Sequence, residues 1–270
     1  MSQTMEVAFN QVTTLSWSFQ QDVGQVRSLG FDSIGLYRRK LGDVGVDVAA
    51  AVLDDGDMTV SSIGWAGGFT GSDGWTYDDA IADAAEAIDE AVSVGAATLT
   101  IISGGLNNHI RKHAMRMLCT AMGVLSKIAS QSGVQLALEP IHPGCGDAWS
   151  FVHDLELAMD IVARVDHASF GLVCDLYHLG LQDPSMDLLR EAAAMTRLVQ
   201  VGDGRTSPCG EMNRCPLGRG SVPIRDMVDA LRDGGYDGPW EVELIGRDVE
   251  QLDYEQLLRH SRDYLGQVLG

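Results

Sequence analysis

Three observations predict that residues 1–270 form one domain, a (β/α)₈ TIM barrel of the α/β class. Eight short apolar runs alternate with eight helix-like stretches along the chain. A length of 270 residues suits one barrel, and no linker divides the chain in two. The first strand-to-helix turn lacks G-x-G-x-x-G or any glycine-rich phosphate cradle, which disfavours the alternative of a doubly wound open sheet.

The first units of the alternation lie before residue 64. An apolar run at 7–10 predicts strand one, and the amphipathic stretch after it ends near Leu29, where Gly30 stops the helix. Strand two is predicted at 33–37. A helix-forming composition at 47–53 ends near Asp55, and strand three follows at 58–63.

A glycine-rich connection covers residues 64–75 and precedes a long helical pattern that begins at Thr76. About a dozen irregular residues in a compact domain usually form a lid or a binding loop. Trp65, Phe69 and Trp75 could line a site there, and Trp65 is the predicted substrate contact. The alternative is that these aromatic side chains only pin the loop to the core.

The remaining chain continues the alternation, with Gly133 closing the longest helix and Pro223 suited to a first helical turn. Strands are predicted at 97–102, 135–139, 172–175, 197–201 and 240–244, and helices at 109–132, 151–165, 184–195, from 223 onward, and 254–269.

Composition excludes several classes of protein. The 19 basic and 38 acidic residues give a formal charge of −19, which repels nucleic acid and attracts divalent cations. No window approaches the roughly 18 apolar residues of a membrane span, and no leader is recognisable, so a soluble cytoplasmic protein is expected. The five scattered cysteines fit a reducing compartment. A zinc site on Cys209 and Cys215 is a weak alternative, since no CxxC motif or nearby histidine supports it.

Polar side chains stand at the ends of four successive predicted strands: Glu139, Asp175, Gln200 and Glu243. In a (β/α)₈ barrel the carboxyl ends of the strands meet on one face, so these four side chains should share one site. Three converging carboxylates would repel one another without a cation. All four residues offer oxygen and none offers sulfur, which favours one Mn²⁺ or Mg²⁺ over zinc.

His142 and His178 each lie three residues beyond a proposed ligand. His142 is a candidate catalytic base and His178 a candidate substrate contact. The alternative is structural: Asp175 would cap the helix that follows it, and each histidine would simply pack under a loop.

As a set, these positions resemble the family of xylose isomerase-like barrels, which includes sugar epimerases, inosose dehydratases and endonuclease IV. The resemblance covers nearly the whole chain. It rests on Glu139 in Leu138-Glu139-Pro140, Asp175 and His178 in Cys174-Asp175-Leu176-Tyr177-His178, the polar residue Gln200 before Asp203, and Glu243 after Tyr236-Asp237-Gly238-Pro239.

The resemblance implies a divalent-metal-dependent sugar isomerase or epimerase that acts through an enediolate. By that resemblance Glu139, Asp175 and Glu243 bind the metal, Glu139 and Glu243 also exchange substrate protons, and His178 and Arg205 contact the substrate. The departure is Gln200, where these epimerases usually carry a histidine. Enzymes that cleave 3-oxo-glycosides, including C-glycoside deglycosidases, resemble this pattern with a Gln among the ligands, so a lyase is the second reading.

Two other classes stay open on the sequence. An endonuclease IV-like phosphodiesterase would need more histidine ligands and a basic groove, both of which the −19 charge and seven scattered histidines disfavour. The second open class is a subunit without catalytic activity.

The expected partner is an unphosphorylated sugar or a glycoside, because Arg205 and Arg219 are the only basic residues placed to hold a phosphate. A homo-oligomer, or a complex with a small partner subunit, is compatible with this prediction.

Overall fold

The computed structural model describes residues 5–71 and 74–270, in which eight parallel strands form a closed barrel. The strands follow one another around the ring in chain order, and β8 closes it by pairing with β1. The predicted (β/α)₈ barrel is therefore confirmed. The strands are β1 Val7–Asn10, β2 Ser33–Tyr37, β3 Thr59–Gly67, β4 Ala96–Ile102, β5 Gln135–Leu138, β6 Phe170–Asp175, β7 Thr196–Val201 and β8 Trp240–Val242.

Helices surround the barrel and bury their apolar faces against it. The short helices α2 and α10 were not predicted, because each is a single short segment within a connection. No helix in the described part of the chain is long and apolar enough to cross a membrane. The helices are α1 Phe19–Ser28, α2 Arg38–Val44, α3 Val46–Asp55, α4 Tyr77–Val94, α5 Arg111–Ser132, α6 Leu155–Val165, α7 Leu176–Gly180, α8 Met186–Ala192, α9 Ile224–Asp233, α10 Arg247–Glu250 and α11 Tyr254–Leu269.

Strand β3 is longer than predicted, and this changes the expected loop at 64–75. Ala66 and Gly67 pair with Ile101 and Ile102 of β4, so the strand continues to Gly67 and contains Trp65. A Cβ atom at Gly67 would lie 2.7 Å from the carbonyl oxygen of Ile102, so glycine is what allows this close approach. Residues 72 and 73 of the predicted loop lie outside the described residues.

Helix α6 begins at Leu155 rather than at the predicted residue 151. The Asp154 side chain accepts a hydrogen bond from the backbone N–H of Leu157 at 2.8 Å, which fixes the helix start. The preceding residues belong to the connection, where the Phe151 N–H donates to the Gly104 carbonyl at 2.9 Å. The loop after β5 is thereby held against the loop after β4, at the face where the candidate site lies.

An apolar layer fills the barrel interior directly beneath that face. Ala137, Val173 and Leu198 pack together there, on β5, β6 and β7. Each lies two residues before Glu139, Asp175 or Gln200, and alternate residues of a strand point to the same side. The three polar side chains therefore point inward, one layer above this apolar floor.

On β8 the same layer holds a carboxylate, Glu241, which lies two residues before Glu243 and therefore faces the same side of the strand. Its oxygens accept hydrogen bonds from Asn10 at 2.6 Å, Ser61 at 2.6 Å and Ser62 at 2.7 Å. A Cβ atom at Gly35 would overlap this carboxylate, so glycine leaves the space that the carboxylate occupies. Burial raises the pKa of Glu241, and the hydrogen bonds from Ser61, Asn10 and Ser62 oppose that rise.

Candidate active site

The four predicted strand-end residues are brought together at the carboxyl end of the barrel. Asp175 ends β6 and Gln200 lies in β7, while Glu139 and Glu243 directly follow β5 and β8. All four side chains are buried. Glu139, Gln200 and Glu243 line one inner chamber of about 30 Å³ together with His178. Carboxylates buried this deeply need a compensating positive charge.

Asp175 has partners for both of its carboxylate oxygens. Oδ1 accepts hydrogen bonds from the backbone N–H groups of Tyr177 at 2.7 Å and His178 at 3.3 Å, so it caps α7. Oδ2 accepts a hydrogen bond from Arg214 at 2.6 Å. The capping role weighed from the sequence is thus present, and the same side chain also lies within the acidic cluster.

Arg214 is the functional residue that sequence reasoning missed. Its fully buried guanidinium lies 2.6 Å from Asp175 Oδ2 and 3.1 Å from Glu243 Oε1, and it donates to the Glu243 carbonyl at 2.9 Å. It also lies over the ring of Tyr177, with its Cζ atom 4.7 Å from the ring centroid. The need for a counter-charge was readable from the sequence. Three arginines lie in the connection after β7, however, and nothing in the sequence separates Arg214 from Arg205 and Arg219.

His178 presents a hydrogen-bond donor to the chamber. The His142 backbone N–H donates to its Nδ1 at 3.3 Å, which makes Nδ1 an acceptor and leaves the ring proton on Nε2. Burial lowers the pKa of His178 to about 3, so the ring is neutral. Nε2 has no hydrogen-bond partner among the described residues and lies 3.7 Å from Glu139 Oε1. It is therefore free to donate to a substrate oxygen.

Gln200 offers its amide oxygen rather than its nitrogen to the chamber. Its Nε2 group donates to Glu243 Oε2 and also interacts with Glu241. The reverse orientation would place the amide oxygen against a carboxylate, so the hydrogen bond fixes which way the amide faces. The buried Oε1 atom has no partner among the described residues. An unpaired buried oxygen is costly unless a ligand completes it.

The donor set fits a divalent cation. Glu139, Asp175 and Glu243 carry three negative charges and Arg214 carries one positive charge, which leaves two negative charges to balance. The nearest carboxylate oxygens of Glu139 and Asp175 lie within 4.8 Å of each other. The unpaired Gln200 oxygen adds a neutral ligand of the kind that Mn²⁺ and Mg²⁺ accept. In the described part of the chain, no cysteine joins a group of this kind.

Without a cation the cluster holds protons. Burial, with Glu243 and Asp175 adding to it, raises the pKa of Glu139 well above its ordinary value. Burial likewise raises the pKa of Glu243 to about 8, against the opposing effect of Arg214. Glu243 is therefore largely protonated near neutral pH, and Glu139 keeps its proton to a higher pH than an exposed carboxyl group, although a metal requires both as carboxylates.

Binding of Mn²⁺ to the metal-free protein is accordingly expected to release protons at pH 7 and to strengthen as the pH rises towards about 9. The sign follows from the raised pKa values, since the protonated forms compete with the metal. Titration calorimetry in two buffers with different ionisation enthalpies measures the number of protons released. A pH-independent affinity with no proton release would contradict this assignment of ligands.

Asp175 belongs to the acidic cluster without lining the chamber, and two further predicted site residues lie outside both the chamber lining and this cluster. Arg205 is exposed and pairs with Asp248 at 2.8 Å. His142 is buried, but its Nδ1 accepts from the Gly144 N–H at 2.9 Å, and the chamber lining does not include it. His142 instead contributes through its backbone, which orients His178. Their roles as substrate contact and base remain predictions that the geometry does not favour.

Trp65 lines the chamber, and its role as a substrate contact remains a prediction with which this position is compatible. Its indole packs on Tyr37 with ring centroids 5.7 Å apart and on Trp149 at 5.6 Å. Trp65 and Trp149 also line a larger outer cavity that adjoins the chamber. Trp149 was not identified from the sequence, because it lies in a connection that carries no strand-end signal.

Comparison of the chain with known proteins identifies its family. A family model described as xylose isomerase-like TIM barrel matches residues 23–267. The chain belongs to this family. Among curated xylose isomerase-like relatives, an inosose isomerase of Halalkalibacterium halodurans is 27% identical over 166 residues, which is 60% of this chain and 57% of that protein. A D-psicose 3-epimerase of Ruminiclostridium cellulolyticum is 28% identical over 123 residues, 46% of this chain and 39% of that protein. The matches thus span about half the length of these relatives.

Solved structures share this fold over 98% of the chain. A protein of Sinorhizobium meliloti 1021 superposes with a TM-score of 0.89 at 22% identity, covering 98% of this chain and 99% of that one. The IOLI protein with a binding zinc atom superposes with a TM-score of 0.86 at 20% identity, covering 98% of each chain.

Gln200 is the position at which this chain departs from the histidine that the family resemblance implies. We expect Gln200→His to keep a metal site and to bind zinc about 10-fold more tightly, because imidazole is a softer ligand than an amide oxygen. Gln200→Met, which removes the ligand but fills similar space, should weaken Mn²⁺ binding by about 10-fold. Competition with a chelator measures both affinities. If Gln200→His lost all metal and the fold together, Gln200 would be a structural residue.

Proposed function

We propose that this protein is a divalent-metal-dependent isomerase or epimerase of a ketose or a related carbohydrate. The observation that carries the proposal is the convergence of Glu139, Asp175, Gln200 and Glu243 in one buried cluster, which borders the chamber and contains an unpaired ligand oxygen. The inosose isomerase and the psicose epimerase among the relatives support a sugar as substrate. The zinc-containing structural neighbour supports a divalent metal.

Glu139, Asp175, Gln200 and Glu243 would hold the cation, with Mn²⁺ or Mg²⁺ favoured by their oxygen ligands. When bound, it polarises a sugar carbonyl and the neighbouring hydroxyl, so that a carbon-bound proton becomes acidic enough to remove. Asp175 is fixed by α7 and Arg214, and it cannot approach a substrate carbon without losing those bonds. Asp175 is therefore a ligand alone.

Proton transfer falls to Glu139 and Glu243. Each is buried with a raised pKa, so its carboxylate is a stronger base than an exposed one. No side chain donates a hydrogen bond to Glu139 in the described residues, whereas Glu243 is held by Gln200 and Arg214. Strands β6 and β7 separate them in the barrel, which lets them face a substrate from two sides. The His178 N–H would hold a sugar oxygen between them.

The route taken by the proton sets the reaction. Return of the proton to the opposite face of the same carbon gives epimerisation, and its return to the neighbouring carbon gives aldose–ketose isomerisation. In either case the intermediate is an enediolate. Apolar side chains that line the chamber, including Leu36, Ile102 and Ile141, exclude water that would otherwise compete for this proton.

A lyase is the second candidate, favoured by the outer cavity that adjoins the chamber. The same carbanion beside a carbonyl could expel a substituent from the next carbon instead of regaining its proton. A substituent expelled from the chamber would then have a place to lie. A 3-oxo-glycoside is the substrate class on which this reaction is testable.

The proposal is tested by elemental analysis of the purified protein, followed by a deuterium-exchange screen of ketoses and 3-oxo-glycosides. We expect one Mn²⁺ or Mg²⁺ per chain, located by anomalous scattering at Glu139, Asp175, Gln200 and Glu243. We also expect solvent deuterium at a carbon next to the carbonyl of at least one ketose. Release of an aglycone without ketose exchange would favour the lyase. An ion located elsewhere, or neither proton exchange nor aglycone release with any compound, would contradict both.

A further inference from the structure

The inner chamber is too small for a whole sugar derivative. Its volume of about 30 Å³ holds about two water molecules. The adjoining outer cavity measures about 330 Å³, within the usual range for small-molecule sites. Trp65, Ile102 and Trp149 line both spaces, so they form one continuous path. Only the reacting end of a substrate fits the chamber, and the remainder must lie in the outer cavity.

Three indole side chains line the outer cavity, from Trp65, Trp75 and Trp149. Trp75 is 47% exposed and Trp149 is 37% exposed, although large aromatic side chains are normally buried. Much of the remaining lining is backbone, at Gly67, Gly68 and Gly104. Three indole groups beside a surface formed largely by glycine backbone give the cavity aromatic contacts and few other side chains, a lining that suits an aromatic ring.

Polar side chains are scarce in the described lining of the outer cavity. Asp83 is occupied, because Arg38 donates two hydrogen bonds to it at 2.9 and 3.0 Å. Arg39 is exposed and forms no ion pair with a described residue. Within the described lining of the outer cavity, Arg39 is thus the one side chain, apart from the indole N–H groups, that is available for hydrogen bonding. A second sugar ring would leave most of its hydroxyl groups unpaired there, at a cost that an aromatic ring avoids.

We propose that the outer cavity binds a planar aromatic group carried by the carbohydrate, so that the substrate is an aryl-substituted sugar. This inference rests on the proposed function, since it takes the chamber as the place where the sugar reacts. The aromatic group stacks on Trp75 and Trp149 at the rim, and Arg39 holds a phenolic or carbonyl oxygen of that group.

The test is titration calorimetry of the Mn²⁺-loaded full chain with phenyl β-glucoside, methyl β-glucoside and cellobiose. We expect phenyl β-glucoside to bind about 10-fold more tightly than the other two compounds. Trp75→Ala should remove most of that preference, and Trp75→Phe should keep it. The matched control is Leu252→Ala, because Leu252 is 41% exposed and lies outside both cavities. This control should leave all three affinities unchanged.

Equal affinities for phenyl and methyl β-glucoside, or no binding of phenyl β-glucoside, would overturn the inference. Tighter binding of cellobiose would do so as well, since it would indicate a second sugar ring. A preference for the phenyl compound that survives Trp75→Ala would place the aromatic group elsewhere. Failure of the proposed function has a different signature: the protein would bind no Mn²⁺ and exchange no ketose proton, whatever it did with the phenyl compound.

Discussion

Replacing Glu243 by Gln is expected to lower turnover by about 10²-fold or more while most of the bound metal is retained. The amide keeps an oxygen for the cation but cannot take a proton from carbon. The Glu243 carboxylate accepts a hydrogen bond from Gln200 and forms an ion pair with Arg214 at 3.1 Å, and a neutral amide loses that ion pair. A loss of roughly 1–3 kcal/mol in the free energy of unfolding should accompany the change.

Steady-state kinetics together with metal analysis of the same preparation measures this result. Glu241→Gln is the matched control, because it makes the same change one layer deeper, where the carboxylate contacts Asn10, Ser61 and Ser62. We expect the control to lower turnover by less than about 10-fold. Wild-type turnover in Glu243→Gln would exclude Glu243 as a base. Glu139→Gln should match Glu243→Gln if the reaction is epimerisation, whereas an elimination needs only one of them.

The second large effect concerns Arg214, whose replacement by Met should destabilise the metal-free protein by about 3–5 kcal/mol. The change leaves Asp175 and Glu243 buried without their cation. A bound divalent ion would supply the missing charge, so Mn²⁺ should stabilise this variant more than it stabilises the wild type. Urea unfolding with and without Mn²⁺ measures both quantities.

Arg205→Met provides the control for Arg214, since its partner Asp248 and the guanidinium itself are exposed. An exposed ion pair contributes little, and this variant should unfold within about 1 kcal/mol of the wild type. If Arg214→Met were as stable as the wild type, the guanidinium would not be compensating the cluster. A large loss of turnover in Arg205→Met would support the role in substrate contact that the family resemblance implies for Arg205.

The barrel and the convergence of its strand-end side chains were predictable because both follow from short-range patterns. Apolar runs of strand length alternate with helical periodicity, and a carboxylate that ends such a run has no apolar reason to be there. Glu139 and Asp175 are of this kind. The parallel arrangement then brings the strand ends together without any knowledge of side-chain contacts.

What could not be predicted depends on contacts between distant segments. Arg214 is distinguished from Arg205 only by folding of the connection after β7, which buries one and exposes the other. The length of β3 depends on pairing with β4, which outweighs the glycine-rich composition of residues 64–67. The partners of Glu241 lie on β1 and β3, far from it in the sequence, so its burial among them could not be read from its own strand.

Solvent deuterium incorporation by the variant that carries both Glu139→Gln and Glu243→Gln tests the central claim most directly. Each wild-type residue is the base proposed for one face of the substrate, and the amides retain oxygen ligands for the metal. With a ketose that the wild type labels next to its carbonyl, we predict that the double variant binds Mn²⁺ but incorporates deuterium at least about 10²-fold more slowly. Incorporation at the wild-type rate would show that neither carboxylate moves the proton, and would contradict the proposed mechanism.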